Sequence, residues 1–146
     1  MKVVIQRVLN GSVHVGQECV GAIGPGLVVL LGISRNDTLE DVQKLARKVL
    51  SVRIWSGEKR WSLNVTQKDF EVLVISQFTL YGVLKGNRPD FHMAMQPEQA
   101  QELYLQFVEE LKKNYFPNKI QTGAFGQYMN IHMTNDGPVT IELQSN

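Results

Sequence analysis

With 146 residues, 43% of them apolar, and a formal net charge of +1, the chain has the size and apolar content of one compact domain with a real core. A protein that grips a nucleic-acid duplex usually needs a broad basic face, for which this chain has no overall charge excess, and any RNA contact is expected to be confined to an end. No stretch approaches the roughly 18 apolar residues of a membrane span, the lone Cys19 excludes an internal disulfide, and the N-terminus has no secretory pattern, so the expected compartment is the cytosol.

In chain order, Lys2–Val8, Ser12–Val15, Glu18–Ile23 and Leu27–Ile33 read as strands, joined by the turn-forming pairs Asn10-Gly11, Gly16-Gln17 and Gly24-Pro25-Gly26. A helix follows, capped by Asp37 or Thr38, with Leu39, Val42, Leu45, Ala46, Val49 and Leu50 at helical spacing and Lys44, Arg47 and Lys48 turned to water. Glu71–Leu80 is the most apolar segment and reads as the central strand. A second helix begins with Pro97 in its first turn and runs to about Asn114, packing Ala100, Leu103, Tyr104, Phe107 and Leu111. Gln127–Thr134 alternates Met129, Ile131 and Met133 against Tyr128, Asn130 and His132, the pattern of a half-buried strand, and Val139–Leu143 reads as the last one. The expected class is mixed α/β, with curled, partly barrel-like sheets and two main helices packed on one side.

Two short stretches depart from what packing alone would select. Ser76-Gln77-Phe78-Thr79-Leu80 puts two hydroxyls and an amide where the apolar run Val72-Leu73-Val74-Ile75 would continue with aliphatic residues. Asn135-Asp136-Gly137-Pro138-Val139-Thr140 sets a Gly-Pro pair before a strand, where proline has no N–H to give a neighbour and where a cis bond is accessible at modest cost. Ser76 and Thr79 are candidate nucleophiles, yet no His or acidic residue near them in sequence could serve as base. His14, His92 and His132 are scattered without metal-ligand spacing, and no glycine-rich loop has a phosphate-binding pattern, so neither metal nor organic cofactor is expected. Lys85-Gly86-Asn87-Arg88 is a solvated turn on composition, with a phosphate contact as the competing reading. Phe125, between Gly123-Ala124 and Gly126, is placed as a stacking platform for a splayed base.

Together the two stretches, about sixty residues apart, resemble the paired signature of the D-aminoacyl-tRNA deacylases, SQFTL followed by NxGPVT. The likeness extends to Val4-Ile5-Gln6-Arg7-Val8, to Lys85–Phe91 and to Gly123-Ala124-Phe125-Gly126 ahead of Met129. Pro89-Asp90-Phe91, where bacterial members more often read Pro-Ser-Phe, points to the eukaryotic type. The resemblance implies a cytoplasmic homodimer that hydrolyses the ester between a D-amino acid and the terminal adenosine of tRNA. It further implies backbone N–H groups of Phe78 and Thr79 as oxyanion donors, with Ser76, Gln77 and Thr79 side chains on the ribose and adenine. A Gly137-Pro138 pair inserted from the partner subunit would refuse L-amino acids, with Arg7 bracing it or serving only as an ion-pair residue. Phe125, Met129, Ala100, Lys85, Arg88 and Arg7 complete the expected substrate contacts. Two other readings stay open: a hydrolase of small amides or esters with Thr79 as covalent nucleophile, and a non-catalytic dimer that binds nucleotides or DNA.

Overall fold

A computed structural model describes residues 1–146. Eight strands and two helices follow in the order β1 (Lys2–Val15), β2 (Glu18–Ile23), β3 (Gly26–Gly32), α1 (Leu39–Ser51), β4 (Glu71–Ser76), β5 (Val83–Lys85), β6 (Arg88–Asp90), α2 (Pro97–Asn114), β7 (Ile120–Thr122) and β8 (Asn130–Gln144), with short 3-10 turns at Phe78–Tyr81 and Pro117–Lys119. The main sheet runs β2-β1-β3-β4-β7, with β8 along β1, while β5 and β6 form a separate hairpin. β3, not the expected segment around Val72–Ile75, is at the middle of that path.

The β3-β4 and β4-β7 pairs are parallel, and each needs a crossover. α1 lies in the first crossover and α2 in the second, which places both helices on one side of the sheet, as expected. The Asp41 carboxylate accepts the Thr38 N–H at 2.8 Å and caps the start of α1. Leu39, expected on the packed face of α1, is exposed.

Residues of β3 and β4 alternate between two apolar clusters. Leu27, Val29, Leu31, Val72 and Val74 pack toward the helices against Leu45, Val49, Phe107 and Leu111. Val28, Leu73 and Ile75 face the concave side with Val8, Val13 and Ile23. Burial on both faces is why these strands read as unbroken aliphatic runs. β2 curls over to meet β7 so closely that a Cβ added to Gly21 would lie 2.2 Å from the carbonyl oxygen of Thr122. The sheet is thereby nearly closed into a barrel.

Two expected strand breaks are absent. Asn10-Gly11 is not a turn: β1 runs through it, pairing with β3 over Lys2–Val8 and with β2 from Gly11 on. Leu9 and Asn10 are both exposed while Val8 and Val13 are both buried, so one extra residue here switches which parity faces inward. β8 likewise continues through Gly137-Pro138, and the expected strand start at Gln127 gives way to a loop until Asn130. Opposite β1, Gln6 pairs with Thr140 but Val8 with Asn135, so β8 advances five residues while β1 advances two. The surplus is pushed out as a bulge around Asp136–Val139, with Gly137 and Pro138 both exposed, Gly137 at φ +128° and the peptide between them cis.

Candidate active site

The parallel strands β3, β4 and β7 all end at the same side of the sheet, the place where open α/β sheets hold ligands. There a cleft of about 650 Å³ opens. Its floor is Leu31, Ile33, Ile75 and Ser76, one wall is Phe91 with Ala94–Pro97 and Ala100, and the facing wall is Phe125–Met129 with Ile131. β4 stops at Ser76 because the Gln77 N–H makes the last bond across the sheet, to the Leu31 carbonyl at 2.8 Å, and the chain then tightens into the 3-10 turn. Leu80 is the first residue whose N–H that turn uses, bonding the Gln77 carbonyl at 3.3 Å, so the N–H groups of Phe78 and Thr79 stand ahead of it as donors. Phe78 is 58% exposed and meets Phe91 edge to face, ring centres 5.0 Å apart.

The facing wall is held from beneath. The Val74 carbonyl accepts both the Gly123 N–H at 3.0 Å and the Tyr104 hydroxyl at 2.8 Å. Tyr104 in turn packs its ring against Phe125 at 5.4 Å. Burial pushes the Tyr104 hydroxyl above the ordinary phenol range and keeps it a neutral donor. Phe125 is therefore half-buried and anchored to the core, not the free-standing loop aromatic that its glycine neighbours imply.

Chemically the lining is unusual for a hydrolytic site. It contains hydroxyl, amide, thioether and aromatic groups but no His, Cys, Asp, Glu, Lys or Arg. No three His, Cys, Asp or Glu side chains gather anywhere in the chain to hold a metal ion. The cleft offers backbone N–H donors and a shaped surface for positioning a substrate.

The family model for D-Tyr-tRNA(Tyr) deacylase matches residues 4–144. The chain belongs to that family. It is 55% identical to D-aminoacyl-tRNA deacylase 1 of Leishmania major, over 99% of this chain and 97% of that one. It is 53% identical to D-aminoacyl-tRNA deacylase 1 of Mus musculus, over 99% of this chain and 70% of the mouse protein. A solved structure described as the c-Myc DNA unwinding element binding protein superposes with a TM-score of 0.96 at 53% identity, covering 100% of this chain and 99% of that one. Another, described as a probable eukaryotic D-amino acid tRNA deacylase, superposes with a TM-score of 0.80 at 18% identity, covering 97% of each chain, and shows the shared fold.

Of the residues marked in the sequence, this member of the deacylase family brings Ser76, Gln77, Phe78, Ala100, Phe125 and Met129 together around the cleft. Thr79 lies just outside the lining, exposed, its hydroxyl accepting the Gln77 side-chain amide. Lys85 and Arg88 face each other across the β5-β6 hairpin away from the lining, and Lys85 is paired with Asp90 at 3.1 Å. Hydrogen bonds from His92 and Lys85 hold the Asp90 carboxyl well below the usual carboxylate range. Gly137 and Pro138 do not line the cleft of their own chain. Nor does Arg7, whose guanidinium instead donates to the Asp136 carbonyl at 3.1 Å and the Ile54 carbonyl at 2.5 Å and pairs with the Asp136 carboxylate at 3.2 Å. Arg7 thus both makes an ion pair and ties the β8 bulge to the segment after α1. Sequence reading missed Phe91, Met95, Gln96 and Tyr128 in the lining. Phe91, Met95 and Gln96 sit in irregular segments where no periodicity marks a function, although Phe91 stands inside the Lys85–Phe91 stretch that carries the family likeness, and Tyr128 falls on the polar face of the expected Gln127–Thr134 strand, which begins only at Asn130.

Proposed function

We propose that the protein hydrolyses the ester of D-aminoacyl-tRNA, releasing free amino acid and tRNA. The observation that carries this reading is the cleft at the strand ends, lined by Ser76, Gln77, Phe78 and Phe125 but holding no carboxylate, imidazole, thiol or cationic side chain. An ester is already activated toward water, and the terminal ribose carries a vicinal hydroxyl beside the reacting carbonyl, so a side-chain base is dispensable. Water adds to the carbonyl, the oxyanion develops against the N–H groups of Phe78 and Thr79, and the C–O bond breaks as the ribose oxygen takes up a proton. Ser76 and Gln77 hold the ribose, and the Phe125 ring supports the adenine, with Met129 on the same wall and Ala100 on the wall opposite.

Chirality is assigned to a wall. D- and L-amino acids exchange only hydrogen and side chain at Cα, so a grip on the shared ammonium and carbonyl cannot separate them, whereas an obstruction where the L side chain projects can. The exposed Gly137-Pro138 bulge suits that role, since Gly137 has no Cβ to hold substrate off. Because the bulge is not part of its own chain's cleft, the arrangement requires a homodimer in which each subunit caps the other's site.

Incubation with D-Tyr-tRNA, L-Tyr-tRNA and a free D-tyrosine ester tests the reading: only the first should be lost rapidly. A wall admits glycine, which projects only hydrogen, so glycyl-tRNA should be hydrolysed and L-alanyl-tRNA refused. Rapid turnover of the free ester with both tRNAs spared would favour a small-ester hydrolase and refute the proposal.

A further inference from the structure

The net charge of +1 conceals a strong asymmetry. Of the 15 Lys and Arg residues, six fall within residues 44–60 against the single acid Glu58, while the rest of the chain holds nine against 13 acids. One segment is therefore strongly basic on an otherwise acidic protein. Lys44, Arg47 and Lys48 recur at the spacing of a single helical face, opposite the buried Val42, Leu45, Ala46 and Val49 of α1. Arg53 follows the helix, and Lys59 and Arg60 occupy the tip of the loop beyond it. All six are exposed, and none is in an ion pair. A cation near a helix C-terminus is explained for Lys48 by the helix dipole, but that field falls off within a turn and does not reach Lys59 or Arg60.

The loop that carries them is built, not frayed. Trp55 and Leu63 exchange backbone bonds at 3.1 and 3.0 Å, and the Ser62 hydroxyl donates to the Lys59 carbonyl at 2.7 Å while accepting the Gly57 N–H at 2.9 Å. Next to Arg60, Trp61 is held at φ +55°, a conformation that favours glycine, and the residue is 57% exposed. An aromatic face beside unpaired cations is the combination that nucleic-acid strands meet through stacking and phosphate contact. Position supplies the link to the reaction: the Arg7 guanidinium holds the Ile54 carbonyl and Asp136 at once, fixing this segment beside the Gly137-Pro138 bulge.

We propose that the strip from Lys44 to Arg60, ending in Trp61, is the docking surface for the RNA backbone of the substrate. The strip rests on the deacylase reading for the identity of that RNA. A tRNA whose aminoacyl end is capped by the bulge lays its acceptor stem over the strip of the subunit that provides the bulge. The RNA contact expected at an end is then made by a concentrated patch that the whole-chain charge conceals.

The test compares wild type with Lys59→Glu/Arg60→Glu and Arg47→Glu/Lys48→Glu on D-Tyr-tRNA and on D-tyrosyl-adenosine, which has the ester and ribose but no RNA body. Each double variant should raise KM for D-Tyr-tRNA by about tenfold or more at low salt, leave kcat unchanged, and lower the slope of log KM against log salt by about two. D-Tyrosyl-adenosine should be hydrolysed equally by all three proteins. Unchanged KM for the tRNA, or an equal loss on both substrates, overturns the proposal, the first outcome assigning the strip to some other polyanion or to none. Filter binding of uncharged tRNA separates the two readings. If wild type cleaves neither ester yet the variants lose tRNA binding, the deacylase reading has failed and the strip stands.

Discussion

Replacing Thr79 by alanine distinguishes a scaffold that positions its substrate from one that attacks it. The Thr79 hydroxyl is exposed, lies outside the cleft lining and has the Gln77 side-chain amide as its hydrogen-bond partner, with no carboxylate or imidazole bonded to it. Loss of one such bond is worth about 0.5–1.5 kcal/mol, so the direct effect is a factor of roughly two to thirteen in rate. Looser placement of Gln77 against the ribose extends the expected loss to at most about a hundredfold, or about 2.7 kcal/mol. Removal of a covalent nucleophile costs on the order of a millionfold, about 8 kcal/mol, so the two mechanisms are far apart on the scale of the experiment. Single-turnover deacylation of D-Tyr-tRNA gives the rate, and intact-protein mass spectrometry during turnover reports any acyl-enzyme. A tRNA without the vicinal terminal hydroxyl should damage the reaction far more than the mutation does. A loss near a millionfold in Thr79→Ala, or an acyl group trapped on Thr79, would refute the reasoning.

Because no titratable acid or base other than Tyr128 lines the cleft, and His14, His92 and His132 all lie outside it, single His→Asn variants should give kcat profiles between pH 5 and 8 that superimpose on wild type; an inflection lost in one of them would identify a missed base. Tyr104→Phe removes a buried hydrogen bond but leaves the Val74 carbonyl its Gly123 partner and Phe125 its ring contact, so urea denaturation should show a loss of about 1 kcal/mol with activity largely kept. Gly21→Ala drives a methyl group into the Thr122 carbonyl at the barrel seam and should destabilise by roughly 1–3 kcal/mol or more, measured the same way, whereas an unchanged midpoint would mean that β2 and β7 do not approach as described.

Strands and helices were legible where burial is one-sided or continuous, as in the alternation of Ile131 and Met133 with their polar neighbours or the aliphatic runs of β3 and β4. The misreadings have a common cause. Asn10-Gly11 and Gly137-Pro138 carry the composition of turns, and at both places the chain instead inserts surplus residues into a ladder whose partner strand fixes its course. Gly11 is small for a packing reason that no local rule reveals: a Cβ there would stand 2.9 Å from Val28 Cγ2. The end of the Val72–Ile75 strand was also misplaced, since the shift to a 3-10 turn after Ser76 depends on where Leu31 ends its ladder. At the site, the family motif marked the residues at the strand ends, but Met95 and Gln96 reach the cleft only through the path of the loop before α2. The basic strip was readable in the sequence and was hidden by summing charge over the whole chain.

β8 also works as a ruler. Ile131 lines the cleft, and Asn135, where the bulge begins, lies four residues farther along the same strand, a span of roughly 13 Å at about 3.3 Å per residue. Under the proposed arrangement, the machinery for breaking the ester and the obstruction that judges handedness therefore reside in different molecules. Accuracy then becomes a concentration-dependent property: a dissociated subunit keeps its cleft but has no censor. Diluting the enzyme through its dimer dissociation range should erode discrimination between D- and L-Tyr-tRNA, and co-assembling a subunit crippled in the cleft with one crippled in the bulge should restore a single faithful site.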